Sequence, residues 1–499
     1  MKIVVSLILS LLIAANHALL MAQTNRYSVT SGDEGHSVLE EIPENVKDTN
    51  AGLFTGDLGE IRHRRLIRVL VTHSQTDFFL EGGRILGIQA ELVRQLMKTL
   101  NKGIRRESDK LFVQFIPVEF HQLLPALIAG EGDIAAALLT ITPDRANLVD
   151  FVSGQTSLVD EVIVKYKNAP RIDSKGGLSG KQIYVLNSSS YVQHLEELNN
   201  DLNTLDMPEV DIIESDPRLL TEDILELVNA GIIDYTVCDD FKARLWAQVL
   251  PNLDILEQVK VSEDKYVGWA VRKNSPELLQ ALNAFMPKAK KGTLLGNVLF
   301  TKYFENTQWI DNPAERLERD KLMNFLYLFE RYGDMYGFDP LALAAQAYQE
   351  SRLNQKLRSH RGAIGIMQVL PSTARDPNVA IPNIDQVEDN IHAGTKYLRF
   401  IRGRYFSDDD IKPLDQRLFS WAAYNAGPAN VIRLRNAAAK NGLDPNVWFG
   451  NVEVMAARMI SREPVRYVAN IHKYYTAYRM IQERTIERQQ ALEEHVDGV

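Results

Sequence analysis

One glutamate stands out by its place in the chain. Asp339 and Pro340 open a helical pattern, an oxygen acceptor for an N-cap followed by a residue whose fixed φ suits the first turn. Leu341, Ala344, Ala345 and Tyr348 recur at helical spacing and predict a buried face. Glu350 sits where that helix closes. The helix dipole places partial negative charge there, and apolar neighbours exclude water. Both effects disfavour a carboxylate and favour the protonated acid. An acid that keeps its proton near neutral pH can protonate the leaving oxygen of a glycoside. On position alone, a solvated glutamate at a helix end is the commoner outcome.

The residues around Glu350 reverse that balance. After Glu350-Ser351 come Ser359, then Gly362-Ala363-x-Gly365-x-Met367-Gln368, then Pro371-x-Thr373-Ala374. A second block reads Ala423-Tyr424-Asn425-Ala426-Gly427, and a third joins Glu463 to Tyr467-Val468. In this order the blocks resemble the signature of the soluble lytic transglycosylase family, over roughly residues 320–478. The resemblance implies an all-α, lysozyme-like domain. It implies peptidoglycan glycan strands as substrate, with cleavage of the β-1,4 bond from N-acetylmuramic acid to N-acetylglucosamine. Glu350 would act first as acid and then as base, leaving a 1,6-anhydro end and consuming no water. Tyr424 would contact the catalytic acid and stabilise developing charge. Its alternative is an ordinary core tyrosine. Ser351, Ser359, Gln368, Asn425 and Glu463 would lie along the sugar site, with Met367 packed under it. Asn425 also fits a plain helix stop. Glu463, flanked by Arg462 and Arg466, also fits a structural ion pair. A hydrolytic muramidase on the same fold, or a receptor with an inert helical domain, are the rival readings.

The elements ahead of this domain follow another rhythm. Strand-like runs at 66–71, 111–115, 133–138, 181–185, 210–213 and 232–237 alternate with helical patterns at 88–100, 123–129, 191–198 and 221–230. An extended stretch at 266–271 returns. Alternation of this kind predicts α/β units around a mostly parallel sheet, here two lobes with crossings near 160–168 and 255–265. The segments Leu123 to Asp133, Leu139 to Phe151 and Ala270 to Pro276 resemble periplasmic solute-binding proteins of the polar amino-acid class. That resemblance implies a cleft ligand with a carboxylate and an amino group, such as an amino acid, and a muropeptide carries the same groups. Arg145 would clamp its carboxylate, Thr140 and Ser189 would donate to it, Asp239 would take its amino group, and Phe79 would stack on it. Leu138 and Asn187-Ser188-Ser189 depart from the usual pattern, which leaves open a vestigial cleft in which Arg145 pairs internally.

The chain is thus expected to be multidomain, a two-lobed α/β periplasmic-binding-protein-like module followed by an all-α lysozyme-like domain. The divisions are 1–22 signal peptide, 23–62 flexible acidic arm, 63–305 binding module, 306–316 linker, 317–485 catalytic domain and 486–499 charged tail. The leader has one lysine and an apolar run, which reads as a secretory signal, with an uncleaved anchor as the alternative. Export to the periplasm of a Gram-negative cell follows, with peripheral membrane association and no lipoprotein cysteine near the leader's end. A net charge of −9 and the lack of a basic stripe argue against nucleic acid. The single cysteine, Cys238, excludes an internal disulfide and a cysteine-type metal site. No metal or cofactor is expected.

Overall fold

The computed structural model describes residues 53–81, 84–106, 109–153, 158–290, 292–305 and 319–497. The leader, most of the acidic arm and the expected linker lie outside the described residues.

Residues 53–62, assigned by composition to a loose arm, are packed. Helix α1 (Leu58–Arg64) is closed by a capping box of Asp57 and Glu60. The Phe54 ring lies 3.7 Å beneath the Arg64 guanidinium, and its amide donates to Gly130 at 2.9 Å. One aromatic and one cap are enough to seat a segment whose composition is otherwise that of a solvated tail.

The first lobe follows with β1 (Leu66–Val71), the hairpin β2 (Phe79–Glu81) and β3 (Arg84–Leu86), α2 (Ile88–Leu100), β4 (Phe112–Pro117), α3 (Leu123–Ala129), β5 (Ile134–Thr140), α4 (Pro143–Leu148) and β6 (Val149–Phe151). The second lobe comprises β7 (Leu158–Tyr166), β8 (Gln182–Val185), α5 (Ser190–Thr204), β9 (Asp211–Glu214), α6 (Thr221–Asn229), β10 (Tyr235–Asp239) and α7 (Asp240–Ala247). Then β11 (Leu253–Arg272), α8 (Pro276–Phe285) and α9 (Leu294–Phe300) return to the first. Strand order is β4-β1-β5-β11-β7-β10-β8-β9, with β6 on β11. β11 is therefore common to both lobes. It passes from β7, where Tyr266 faces Leu158, to β5, where Val267 faces Thr140. Residues 160–168, expected as the other crossing, belong largely to β7. That apolar run continues a ladder with β10 and so is strand, not hinge.

The lobes touch each other directly. Lys242 reaches Asp77 at 3.5 Å, the Gln75 amide donates to Glu222 at 2.9 Å, and Arg218 lies 3.8 Å from Glu119.

The helical domain runs through α10 (Arg319–Tyr336), α11 (Pro340–Ser351), α12 (Pro371–Arg375), α13 (Val387–Tyr405), α14 (Pro413–Ala426), α15 (Pro428–Lys440), α16 (Glu453–Met459) and α17 (Arg462–Asp497). α15 starts directly at Gly427-Pro428, a pair that ordinarily ends a helix. The same proline is the first residue of the next helix, where its missing N–H is harmless. α17 continues to Asp497, through most of the segment set apart as a charged tail. Its Lys473 is buried against Glu226 and lies 3.4 Å from Asp223, both in the second lobe. His472 stands 3.5 Å from Asp216 and packs against the Phe449 ring.

Candidate active site

The site is built on α11. Asp339 caps it, one oxygen accepting from the Leu341 amide at 2.9 Å and the other from the Tyr475 hydroxyl of α17 at 2.6 Å. Leu341 through Tyr348 are all buried, so the helix is enclosed on nearly every side. Its last turn ends at Arg352, whose φ of 55° reverses the chain. The Arg352 guanidinium lies over Tyr348 at 4.8 Å, closing the apolar end.

The glycine-rich loop is held from below. Gly365 has φ +80°, and a Cβ there would come within 2.6 Å of Asn390 and Gln355. Those two side chains fasten the loop: Asn390 accepts from the Met367 amide at 2.8 Å, and Gln355 accepts from the Ile366 amide at 3.0 Å. Ser351 is buried and spends its hydroxyl on the Ile366 carbonyl at 2.8 Å. Ser359 accepts from Ala363, and Gln368 donates to Gly365 at 2.8 Å. Met367 is fully buried. Asn425 donates to the exposed Glu463 at 3.3 Å. Asn390 and Gln355 went unnoticed in the sequence, since neither lies in a block.

Two tyrosines converge near Glu350, with different roles. Tyr424 donates to the Met367 carbonyl at 2.7 Å. The hydroxyl on the Glu350 carboxyl is that of Tyr467, 2.5 Å from Oε1. Tyr467 was quoted in the third block without a role. Its spacing from Glu463 places both on one face of α17, which is the signal that could have found it. Gln346, one turn before Glu350, donates to the Tyr467 hydroxyl at 3.3 Å.

Burial pushes the Glu350 carboxyl up to about 7; the Tyr467 bond pulls it back and the charge of Glu463 pushes it further up. Burial also raises both tyrosines well above the usual value, and the nearby Glu350 charge adds to it. The arrangement can therefore deliver a proton near neutral pH and hold the resulting carboxylate through a donated bond.

The expected ligand cleft of the first module is occupied by the protein's own contacts. Arg145 donates to the Thr140 carbonyl and, across the lobes, to the Ser188 carbonyl, both at 3.0 Å. Asp239 is buried, accepts from Tyr191 at 2.9 Å and interacts with Lys242. The Ser189 hydroxyl is buried without a partner among the described residues. Phe79 is buried edge-on to Tyr303, with ring centroids 6.3 Å apart.

Residues 67–306 match the family model for bacterial extracellular solute-binding proteins, family 3, and residues 327–445 match the transglycosylase SLT domain. A Desulfosudis oleivorans protein named membrane-bound lytic murein transglycosylase F is 28% identical over 84% of this chain and 91% of its own length. A Pseudomonas putida protein of the same name is 28% identical over 89% of this chain and 91% of its own. The chain is a homologue of these proteins. A solved ancestral arginine-binding protein bound to arginine covers 48% of this chain and 98% of its own, at 24% identity and a TM-score of 0.40. The transglycosylase F homologues are named membrane-bound. Among the described residues here, no helix is long and apolar enough to cross a membrane.

Proposed function

We propose that this protein is an exported peptidoglycan lytic transglycosylase. It cleaves the β-1,4 bond from N-acetylmuramic acid to N-acetylglucosamine and leaves 1,6-anhydro ends. The observation that carries the reading is the half-buried Glu350, its carboxyl pushed up to about 7 by burial and bonded by the Tyr467 hydroxyl. In the first step Glu350 gives its proton to the glycosidic oxygen as the C–O bond breaks. The carboxylate then accepts the proton of the muramyl 6-hydroxyl as that oxygen bonds the anomeric carbon. The acid is regenerated and no water enters. Ser359, Gln368, Asn425 and Glu463 are proposed to flank the glycan.

The signal-like leader and the relatives' name support a periplasmic enzyme of a Gram-negative cell, peripherally associated with the outer membrane. A zwitterionic ligand of the first module, an amino acid or muropeptide, would have to take Arg145 from Ser188 and Asp239 from Lys242. Binding there would alter access to Glu350 only through unequal affinity for open and closed lobes. Product analysis of digested sacculi tests the main reading. Anhydro ends are expected, and predominantly reducing ends would assign a hydrolytic muramidase instead.

A further inference from the structure

We infer that Gln346 is a positioning residue that fixes the direction of the bond between Tyr467 and Glu350, and so decides which glutamate oxygen carries the proton. The inference rests on Glu350 being the acid of the proposed reaction. Gln346 is fully buried on α11. Its Nε2 lies 3.3 Å from the Tyr467 oxygen, which in turn lies 2.5 Å from Glu350 Oε1. A phenol has one proton. With an amide N–H donating into its oxygen, that proton is directed to Oε1. Oε1 is then an acceptor only, and the acid proton is confined to Oε2.

The other end of the same amide supports the assignment. Gln346 Oε1 is buried with no hydrogen-bond partner among the described residues. Leu343, Ala344, Ala345 and Ala347 around it are apolar and buried. Packing alone gives no reason for an amide at this place, and a methionine or leucine would leave nothing unpaired. The Tyr467 hydroxyl supplies the reason. The other titratable groups acting on Glu350 are Glu463, on the same helix as Tyr467, and Tyr424 on α14. Tyr397 stands behind Tyr424, with ring centroids 5.4 Å apart. Tyr424 points its hydroxyl proton at the Met367 carbonyl, so it does not compete for the carboxyl.

The sign of the effect follows. A bond donated by Tyr467 favours the carboxylate. Without Gln346 the hydroxyl is free to turn and the bond weakens, so the acid form of Glu350 persists to higher pH. The falling alkaline limb of kcat/KM should move up by about half a pH unit, and kcat should drop roughly threefold.

The test uses the full chain on soluble glycan strands from pH 5 to 9. It compares wild type, Gln346→Met, Tyr467→Phe and the double variant, with thermal melting in parallel. Gln346→Met should melt at or above wild type and shift the limb upward. Added to Tyr467→Phe it should change nothing further. An unmoved limb, a downward shift or a full effect in the double variant would each overturn the inference. A downward shift would mean that Tyr467 donates to the amide instead. Gln346→Leu repeats the measurement with another shape if the methionine variant folds poorly. Wild type that leaves no anhydro ends would remove the functional reading and this inference with it. Active wild type with an unmoved limb removes the inference alone.

Discussion

Tyr467 and Glu350 are 117 positions apart in the chain and 2.5 Å apart at hydroxyl and Oε1. One comes from the long last helix, the other from the buried central helix. Their meeting turns an acid at a helix end into one that can both lose and regain a proton.

Glu350→Gln should abolish cleavage without unfolding the protein, since the amide has the same shape and no acidic proton. General acid catalysis alone contributes about 10²–10⁴-fold. Residual turnover within about tenfold of wild type, read on sacculi by release of muropeptides, would take Glu350 out of the reaction.

The same substitution should change how stability depends on pH. The Glu350 value is about 7 in the fold against 4.5 unperturbed. A raised value means that the bound proton favours the folded state, so its contribution is whole below about 4.5 and is lost as pH rises through 7. Glu226 and Glu453 are also pushed up to about 7 by burial, so wild type alone cannot isolate the effect. Urea unfolding of wild type and Glu350→Gln at pH 5 and pH 8 can. The variant should gain on wild type as pH rises, and parallel curves would contradict the placement of the carboxyl.

The two tyrosines should separate kinetically. Tyr467→Phe removes the hydroxyl that donates to the carboxyl, and should lower kcat by roughly tenfold and shift the alkaline limb upward. Tyr424→Phe frees the Met367 carbonyl, and should lower stability by about 1 kcal/mol while leaving that limb in place. Indistinguishable pH profiles for the two variants would argue against separate roles.

Much of this was readable in the chain. Most strands of both lobes and the helix under Glu350 follow from apolar spacing and caps, but β7 and the first half of β11 read as crossings, because an apolar run alone does not tell a strand from a hinge. The three blocks gave the right neighbourhood but not which tyrosine touches the acid. Tyr424 and Tyr467 both lie in apolar helices, and the difference is set by how α14 and α17 lean on α11. No local pattern records that. Gln346 was hidden for the opposite reason, since a glutamine inside an alanine-rich helix looks like surface until the burial is known. Phe54 was lost in an acidic stretch whose average composition masks one anchoring ring.

The closed lobes give a further expectation. Lys242 lies 3.5 Å from Asp77 across them and interacts with Asp239 and Glu222 on its own side. Lys242→Met should remove this bridge and increase the radius of gyration in small-angle scattering. If a cationic or zwitterionic ligand competes for the same acids, the variant should bind it more tightly in calorimetry. An unchanged scattering profile would show that the other lobe contacts suffice.

Lys473 is the feature with the widest practical reach. Its ammonium is buried among acids that belong to the other half of the chain. A catalytic fragment excised at the linker would carry a bare cation, with a histidine beside it, on the helix that presents Tyr467. The remaining fragment would keep Glu226 and Asp223 without their counter-charge. Neither piece is then a faithful sample of the whole, and activity or ligand affinity measured on one alone would describe a differently charged object.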